Sequence, residues 1–351
     1  MLNETAQFAP DGQPFKVVTL RNTHGMLVTV MDWGATILSC RVPMKDGSVR
    51  ETMLGCPSPA DYPQQHAYLG ATVGRYANRI ANSQLSLGDE IIDLVASQPP
   101  HQLHGGMEGF DKRRWSLITH NDHEVVYSLT SPDGDQGFPG VLQATARLAL
   151  KDDNRLSIEY RATVDKPCPV SLTNHAYFNL DSQHDDVRQH RLQIFADDYL
   201  PVDSMGIPSG EGELKQVSGT HFDFRAAKTI AQDFLQDADQ QAVKGYDHSF
   251  LLQAKGNLER VAAKVWSADN LLQMTVYTTA PALQFYSGNY LEGTKAKGKD
   301  SYHAYDGLAL ESEHLPDSPN HPEWPQPDCW LLPGEEYMSI TEYQFQSLSS
   351  F

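Results

Sequence analysis

Along much of the chain, apolar and polar residues alternate with a period of two, the spacing of a half-buried strand. The stretch SLTNHAYFNL, residues 171–180, carries the pattern clearly. Leu172, Asn174, Ala176, Phe178 and Leu180 point one way; Ser171, Thr173, His175, Tyr177 and Asn179 point the other. The first face is mostly core material. The second sets a histidine beside a tyrosine and amides, and for a lone histidine there a solvated or structural role is the default. Residues 16–44 hold three short apolar runs broken by His-Gly and Trp-Gly, and residues 124–164 and 264–290 read as further strands between turn clusters. Turn signals recur about every ten residues, as in a sandwich or barrel. The clearest helical stretch is AAKTIAQDFLQDADQQAV, 226–243, and SPADYPQQHA reads as a short helix behind a serine cap. No linker, low-complexity run or repeat interrupts the chain, so residues 1–351 are expected to form one all-β domain with a few short helices.

Charge narrows the partners. The 45 acidic against 27 basic residues give a net charge of −18, without a basic stripe. That disfavours nucleic acid and anionic membrane surfaces and suits a small neutral substrate. The four cysteines are widely separated and include no CxxC, which suits free thiols in a reducing compartment. No signal-peptide pattern opens the sequence and no apolar run approaches the roughly 18 residues of a membrane span. A cytoplasmic location is expected. No P-loop, GxGxxG or HExxH is present, and DGDQG at 133–137 lacks the later ligands of a calcium loop and reads as a turn.

Five stretches carry groups capable of chemistry. In GRYANRIAN, Arg75 and Arg79 lie among Asn78 and Asn82; forked donors beside amides suit sugar hydroxyls, against the blander alternative of solvated surface arginines. In HQLHGG, His101 and His104 have a metal-like spacing, but the two glycines argue for a tight loop and no carboxylate lies nearby, so no metal is expected. TNHAYFNL supplies His175 and Tyr177, with Asn174 and Asn179. KGYDHSFLL places Asp247 and His248 between a glycine turn and a strand. In GLALESEHLPDSPNHPEWP, Glu311 and Glu313 project from one side of a strand, about 6.6 Å apart along it. Such a pair suits general acid–base work, or is simply two solvated glutamates. The proline-rich tail that follows is a loop able to wall a pocket.

Taken in order, GRYANRI, LHGG, TNHAYFNL, GYDH, LQFYSGN and LESEHLPDSPNHPEWP resemble the motifs of the aldose 1-epimerase, or galactose mutarotase, family, most closely its enterobacterial branch. The resemblance spans nearly the whole chain. It implies a large antiparallel β-sandwich, the galactose mutarotase-like supersandwich, with an open cleft. It implies interconversion of the α and β anomers of hexoses such as galactose and glucose, in hexose metabolism. The family's general base falls on Glu311 and its general acid on His175. His104 falls close to the ring oxygen, Asn78, Arg79 and Asp247 on sugar-binding positions, and Gln284 on a further cleft position. Tyr177, on the strand face of His175, is expected to bind substrate with them. Where many relatives have Glu-Thr-Gln, this chain has Glu-Ser-Glu; Glu313 is expected either to influence the base or to face solvent.

On this reading Glu311 takes the C1 hydroxyl proton and His175 supplies one to the ring oxygen, histidine being the side chain that ordinarily exchanges protons near neutrality. No cofactor is called for, since nothing is oxidised or transferred. The expected partner is the sugar alone, with the protein a monomer or homodimer. Three rivals remain open: a glycosidase using Glu311 with Glu313, a sugar-binding module without catalysis, and a relative acting on hexose phosphates, which the acidic chain and the full motif match disfavour.

Overall fold

The computed structural model describes residues 1–181, 186–253 and 256–349. Its long strands form three antiparallel sheets. The largest runs in the order Ser116–His120, Glu124–Ser131, Leu142–Leu150, Arg155–Val164, Tyr337–Ser347, Leu272–Thr278, Val261–Trp266, Arg191–Ile194 and Lys228–Thr229. A second has six strands: Tyr177–Phe178, Leu308–Glu313, Ala282–Tyr286, Asp247–Leu252, Ala196–Leu200 and Lys215–Gln216. A third joins the five strands between Leu2 and Glu51.

Period two explains how the first two sheets meet. Along Leu142–Leu150 the residues Leu142, Ala144, Ala146, Leu148 and Leu150 are buried, with more open positions between them. That is a strand with one face in a core. Ala282–Tyr286 and Leu308–Glu313 are buried at every position. One of their faces, carrying Leu283, Phe285, Leu308 and Leu310, joins the core with Tyr343 and Phe345 of the nine-stranded sheet. Phe178 lies 4.8 Å from the Tyr343 ring, and the Tyr343 hydroxyl donates to the Leu310 carbonyl at 3.1 Å. Truncating Leu310 to alanine in this packing costs about 2–5 kcal/mol. The expected β-sandwich is what forms, and the other face of these two strands is left for the site.

Two local expectations change. Residues 171–180 form no continuous strand: Thr173–Asn174 pairs with Thr72–Val73, and Tyr177–Phe178 pairs with Leu308–Ala309. Every residue in this stretch is buried, so its polar face is not solvated. The helix expected over 226–243 is also absent. The segment pairs with a sheet edge at Lys228–Thr229, makes a 3-10 turn at Ile230–Asp233, and is α-helical only over Ala238–Ala242. Leu235 sits at φ +56°, which breaks any helix there. The short helix after Ser58 forms as a 3-10 helix over Pro59–Gln64. Among the described residues no helix is long and apolar enough to cross a membrane.

Candidate active site

The register of the six-stranded sheet sets the floor of a cleft. Directly opposed residues of an antiparallel pair share a face. Tyr177 opposes Ala309, Ala309 opposes Tyr286, and Tyr286 opposes Asp247. The next row holds Glu311, Gln284 and Ser249. Side chains from four strands and distant sequence positions thus share one face, and Tyr177, Tyr286, Asp247 and Glu311 on it line a cleft of about 390 Å³. Its lining includes Tyr68, Asn78, Arg79, His104, His175, Tyr177, Asp247, Tyr286 and Glu311.

His175 reaches the cleft from the bend between the two short strands. Its amide donates to Ala71 O at 2.8 Å, and its carbonyl accepts from Gly70 N at 2.9 Å. The imidazole lies between two phenol rings, with centroids 4.8 Å from Tyr177 and 5.8 Å from Tyr68, both nearly parallel to it. Its Nε2 is 3.0 Å from Glu311 Oε1, and both side chains are almost fully buried. The distance is that of an ion pair, but Glu311 Oε1 has no hydrogen bond of good geometry. A bound oxygen therefore has an acceptor to engage there.

His104 sits at φ +49°, just before Gly105, whose added Cβ would lie 1.9 Å from Gly74 O. Only glycine permits that approach, which accounts for the LHGG turn. His104 Nδ1 accepts from the Asn78 backbone N–H at 3.0 Å. Burial first, then the neighbouring His175 and Arg79, hold its pKa well below the usual histidine value. A neutral ring that accepts at Nδ1 carries its proton on Nε2, so His104 offers the cleft a fixed donor.

This bears on metals. Ligand atoms of His104, His175 and Glu311 lie within 4.8 Å of one another, all buried. A metal would need a lone pair where His104 bears its proton. The trio is better arranged for a hydroxyl or ether oxygen than for a cation.

The polar wall is cross-linked. Arg79 Nε donates to Gln98 Oε1 at 2.8 Å, and its Nη1 lies 4.0 Å from Asp247 Oδ2. Gln284 does not line the cleft; its amide donates to Asp247 Oδ1 at 2.8 Å and orients that carboxylate from behind. Across the opening, Asp203 Oδ1 accepts from Met205 N and Ile207 N, and the tip it shapes adds Ser204, Met205 and Gly206 to the lining. A Cβ on Gly206 would lie 2.6 Å from the Arg79 guanidinium carbon, so the tip rests directly on that side chain. Burial, then Tyr286 and Glu311, push the Tyr177 phenol well above its ordinary pKa, and it stays neutral.

The other residues that the sequence raised lie elsewhere, and DGDQG is the turn it was expected to be. Arg75 is buried away from the cleft, bonded to Ser131 Oγ and the carbonyls of Ser131, Pro132, Pro139 and Gly140. His101 accepts from Asn82 N and is structural. Asp133 and Asp135 pair with Lys166 and Arg113 across an ordinary turn. Glu313 lies beneath the cleft wall, 1% exposed, and does not face solvent. Tyr68, Gln98 and the Ser204–Gly206 tip carried no sequence signal. Tyr286 lay within LQFYSGN.

The comparisons agree along the whole chain. The family model described as Aldose 1-epimerase matches residues 16–344. The chain is 66% identical to the aldose 1-epimerase of Escherichia coli K12, over 98% of this chain and 99% of that one. It is 39% identical to the human galactose mutarotase, over 91% and 90%. Among solved structures, galactose 1-epimerase from Lactobacillus acidophilus aligns with a TM-score of 0.85 at 30% identity, covering 99% of each chain. An aldose epimerase homologue from C. elegans aligns at 0.87 and 30% identity, covering 95% of this chain and 100% of that one.

Proposed function

The chain belongs to the aldose 1-epimerase family, and from that premise we propose that it interconverts the α and β anomers of aldohexoses such as D-galactose and D-glucose, with Glu311 as general base and His175 as general acid. Glu311 removes the proton from the C1 hydroxyl. The O–H electrons form the C1 carbonyl, the bond from C1 to the ring oxygen breaks, and that oxygen takes the His175 proton. Rotation about C1–C2 presents the other carbonyl face. The ring hydroxyl adds back, and both protons return.

The observation that carries the reading is the 3.0 Å separation of His175 Nε2 and Glu311 Oε1. The two oxygens that exchange protons are bonded to the same carbon, so the acid and base that serve them must meet across one atom. A single hemiacetal carbon, entering with its hydroxyl and ring oxygens, can engage both. The His104 Nε2–H adds a donor beside the ring oxygen. Arg79, Asn78 and Asp247 hold the remaining hydroxyls, leaving the C1–C2 torsion free. Tyr177 and Tyr68 keep the acid's ring in plane, and Gln284 acts through Asp247.

The reading takes the chain as one domain, which the match over residues 16–344 supports. It includes a cytoplasmic role in hexose metabolism, which four buried free thiols fit. The glycosidase alternative loses its second carboxylate, since Glu313 lies outside the cleft lining. Polarimetry on freshly dissolved α-D-galactose, then glucose and xylose, tests the proposal. Rotation is expected to reach equilibrium far faster than without enzyme, and an aryl galactoside is expected to stay intact. No acceleration with any of the three sugars overturns the reading.

A further inference from the structure

Asn78 is the joint of the cleft wall. Its backbone N–H donates to His104 Nδ1 at 3.0 Å, and its carbonyl accepts from His104 N at 2.9 Å. Its side-chain oxygen accepts from Arg79 N at 2.9 Å and faces Arg79 Nη1 at 3.5 Å. It holds φ +68°, a conformation asparagine tolerates better than most residues. One group remains, the side-chain NH2. An amide can turn over and exchange its oxygen for its nitrogen; Arg79 N holds the oxygen end, and an acceptor at the nitrogen end completes the lock. That acceptor is Glu313 Oε1, 2.8 Å from Asn78 Nδ2.

We propose that Glu313 is a positioning residue for the sugar reaction, locking the Asn78 amide and, through Asn78, the His104 ring and the Arg79 guanidinium. The proposal rests on the epimerase reading and adds a residue that touches no substrate. Glu313 closes the Leu308–Glu313 strand, on the face of Glu311 and opposite Ala282.

Its surroundings decide the form in which it works. On its own strand it faces Glu311; the Asp247–Leu252 strand, two over in the same sheet, brings Asp247; the Asn78–Arg79 segment brings the amide and a guanidinium. The Tyr76 and Tyr337 phenols are also near, but Tyr76 donates to the Leu315 carbonyl and Tyr337 engages the Leu172 backbone. Among the described residues Glu313 Oε2 has no hydrogen-bond partner. A carboxylate this deep, with one donor for two oxygens, is poorly compensated, whereas a carboxylic acid is satisfied far more cheaply. Burial first, and Glu311 second, push the group well above the ordinary carboxylate range, against the Asn78 bond and Arg79. Glu313 thus works as a neutral carboxyl whose carbonyl oxygen receives the Asn78 amide.

Glutamine reproduces the shape and the acceptor without a proton to lose; leucine reproduces only the volume. The experiment compares Glu313→Gln and Glu313→Leu in the full chain by polarimetric kinetics on α-D-galactose, with thermal unfolding alongside. Glu313→Gln is expected to stay close to wild-type kcat/KM. Glu313→Leu is expected to raise KM roughly tenfold or more, with a smaller effect on kcat. The infrared difference spectrum of wild type minus Glu313→Gln, at neutral pH, is expected to contain a protonated-carboxyl C=O stretch. Equal losses in both variants, an unimpaired Glu313→Leu, or carboxylate bands in place of the acid band overturn the proposal. A wild-type protein without mutarotase activity would instead sink the reading beneath it.

Discussion

Arg75 and Arg79 stand in one motif, four residues from each other in GRYANR, and do opposite work. Arg75 is 1% exposed and spends all its nitrogens on Ser131 Oγ and four carbonyls of residues 131–140. It pins a turn of the nine-stranded side to the segment that carries Asn78. Arg79 makes one strong bond, to Gln98, and keeps donors facing the cleft and Asp247. Residue type does not separate them; the supply of acceptors does. A guanidinium whose five N–H groups meet fixed carbonyls is framework, and one left with open donors can bind hydroxyls.

The contrast is sharpened first at the acid. His175→Asn should lower kcat by about 10²- to 10⁴-fold while leaving thermal unfolding near wild type, as polarimetry and calorimetry would register. A matching fall in melting temperature would make His175 framework too. Next comes Arg75→Met, which strands several buried carbonyls and should cost about 3 kcal/mol of stability in urea unfolding. The folded fraction should keep a wild-type KM, and a raised KM at unchanged stability would reverse the roles of the two arginines. Arg79→Met should do the converse, raising KM roughly tenfold for galactose with little change in stability. Gln284→Leu should have the smallest effect, a rise in KM of about threefold, because Asp247 loses its orienting amide and keeps its charge. An effect on kcat alone would place Gln284 in the chemistry itself.

Much of the frame was legible because period two survives in strands with one buried face, as along Leu142–Leu150. It also put His175 and Tyr177 on a common side, and they do share the cleft. It could not show that this side is covered, because the cover comes from Tyr68 and from the Ser204–Gly206 tip, far away in sequence. The helix expected over 226–243 failed for a local reason. The Gln240 side chain turns inward and bonds Leu235 N and Asp233 O, so side-chain bonds to the backbone replace helical ones there. Arg75 misled because the carbonyls that consume it lie more than fifty residues on. Strand spacing marked Glu311 and Glu313 alike and the family motif singled out Glu311; only the fold shows that Glu313 is buried beneath Asn78 and outside the cleft lining.

The proposed reaction depends on Glu311 as the base that opens the ring. Polarimetry of freshly dissolved α-D-galactose with Glu311→Gln, alongside calorimetric titration of galactose, tests it most directly. The expected result is retained sugar binding with mutarotation slowed by about 10²-fold or more. Mutarotation near the wild-type rate in a folded Glu311→Gln protein would contradict it.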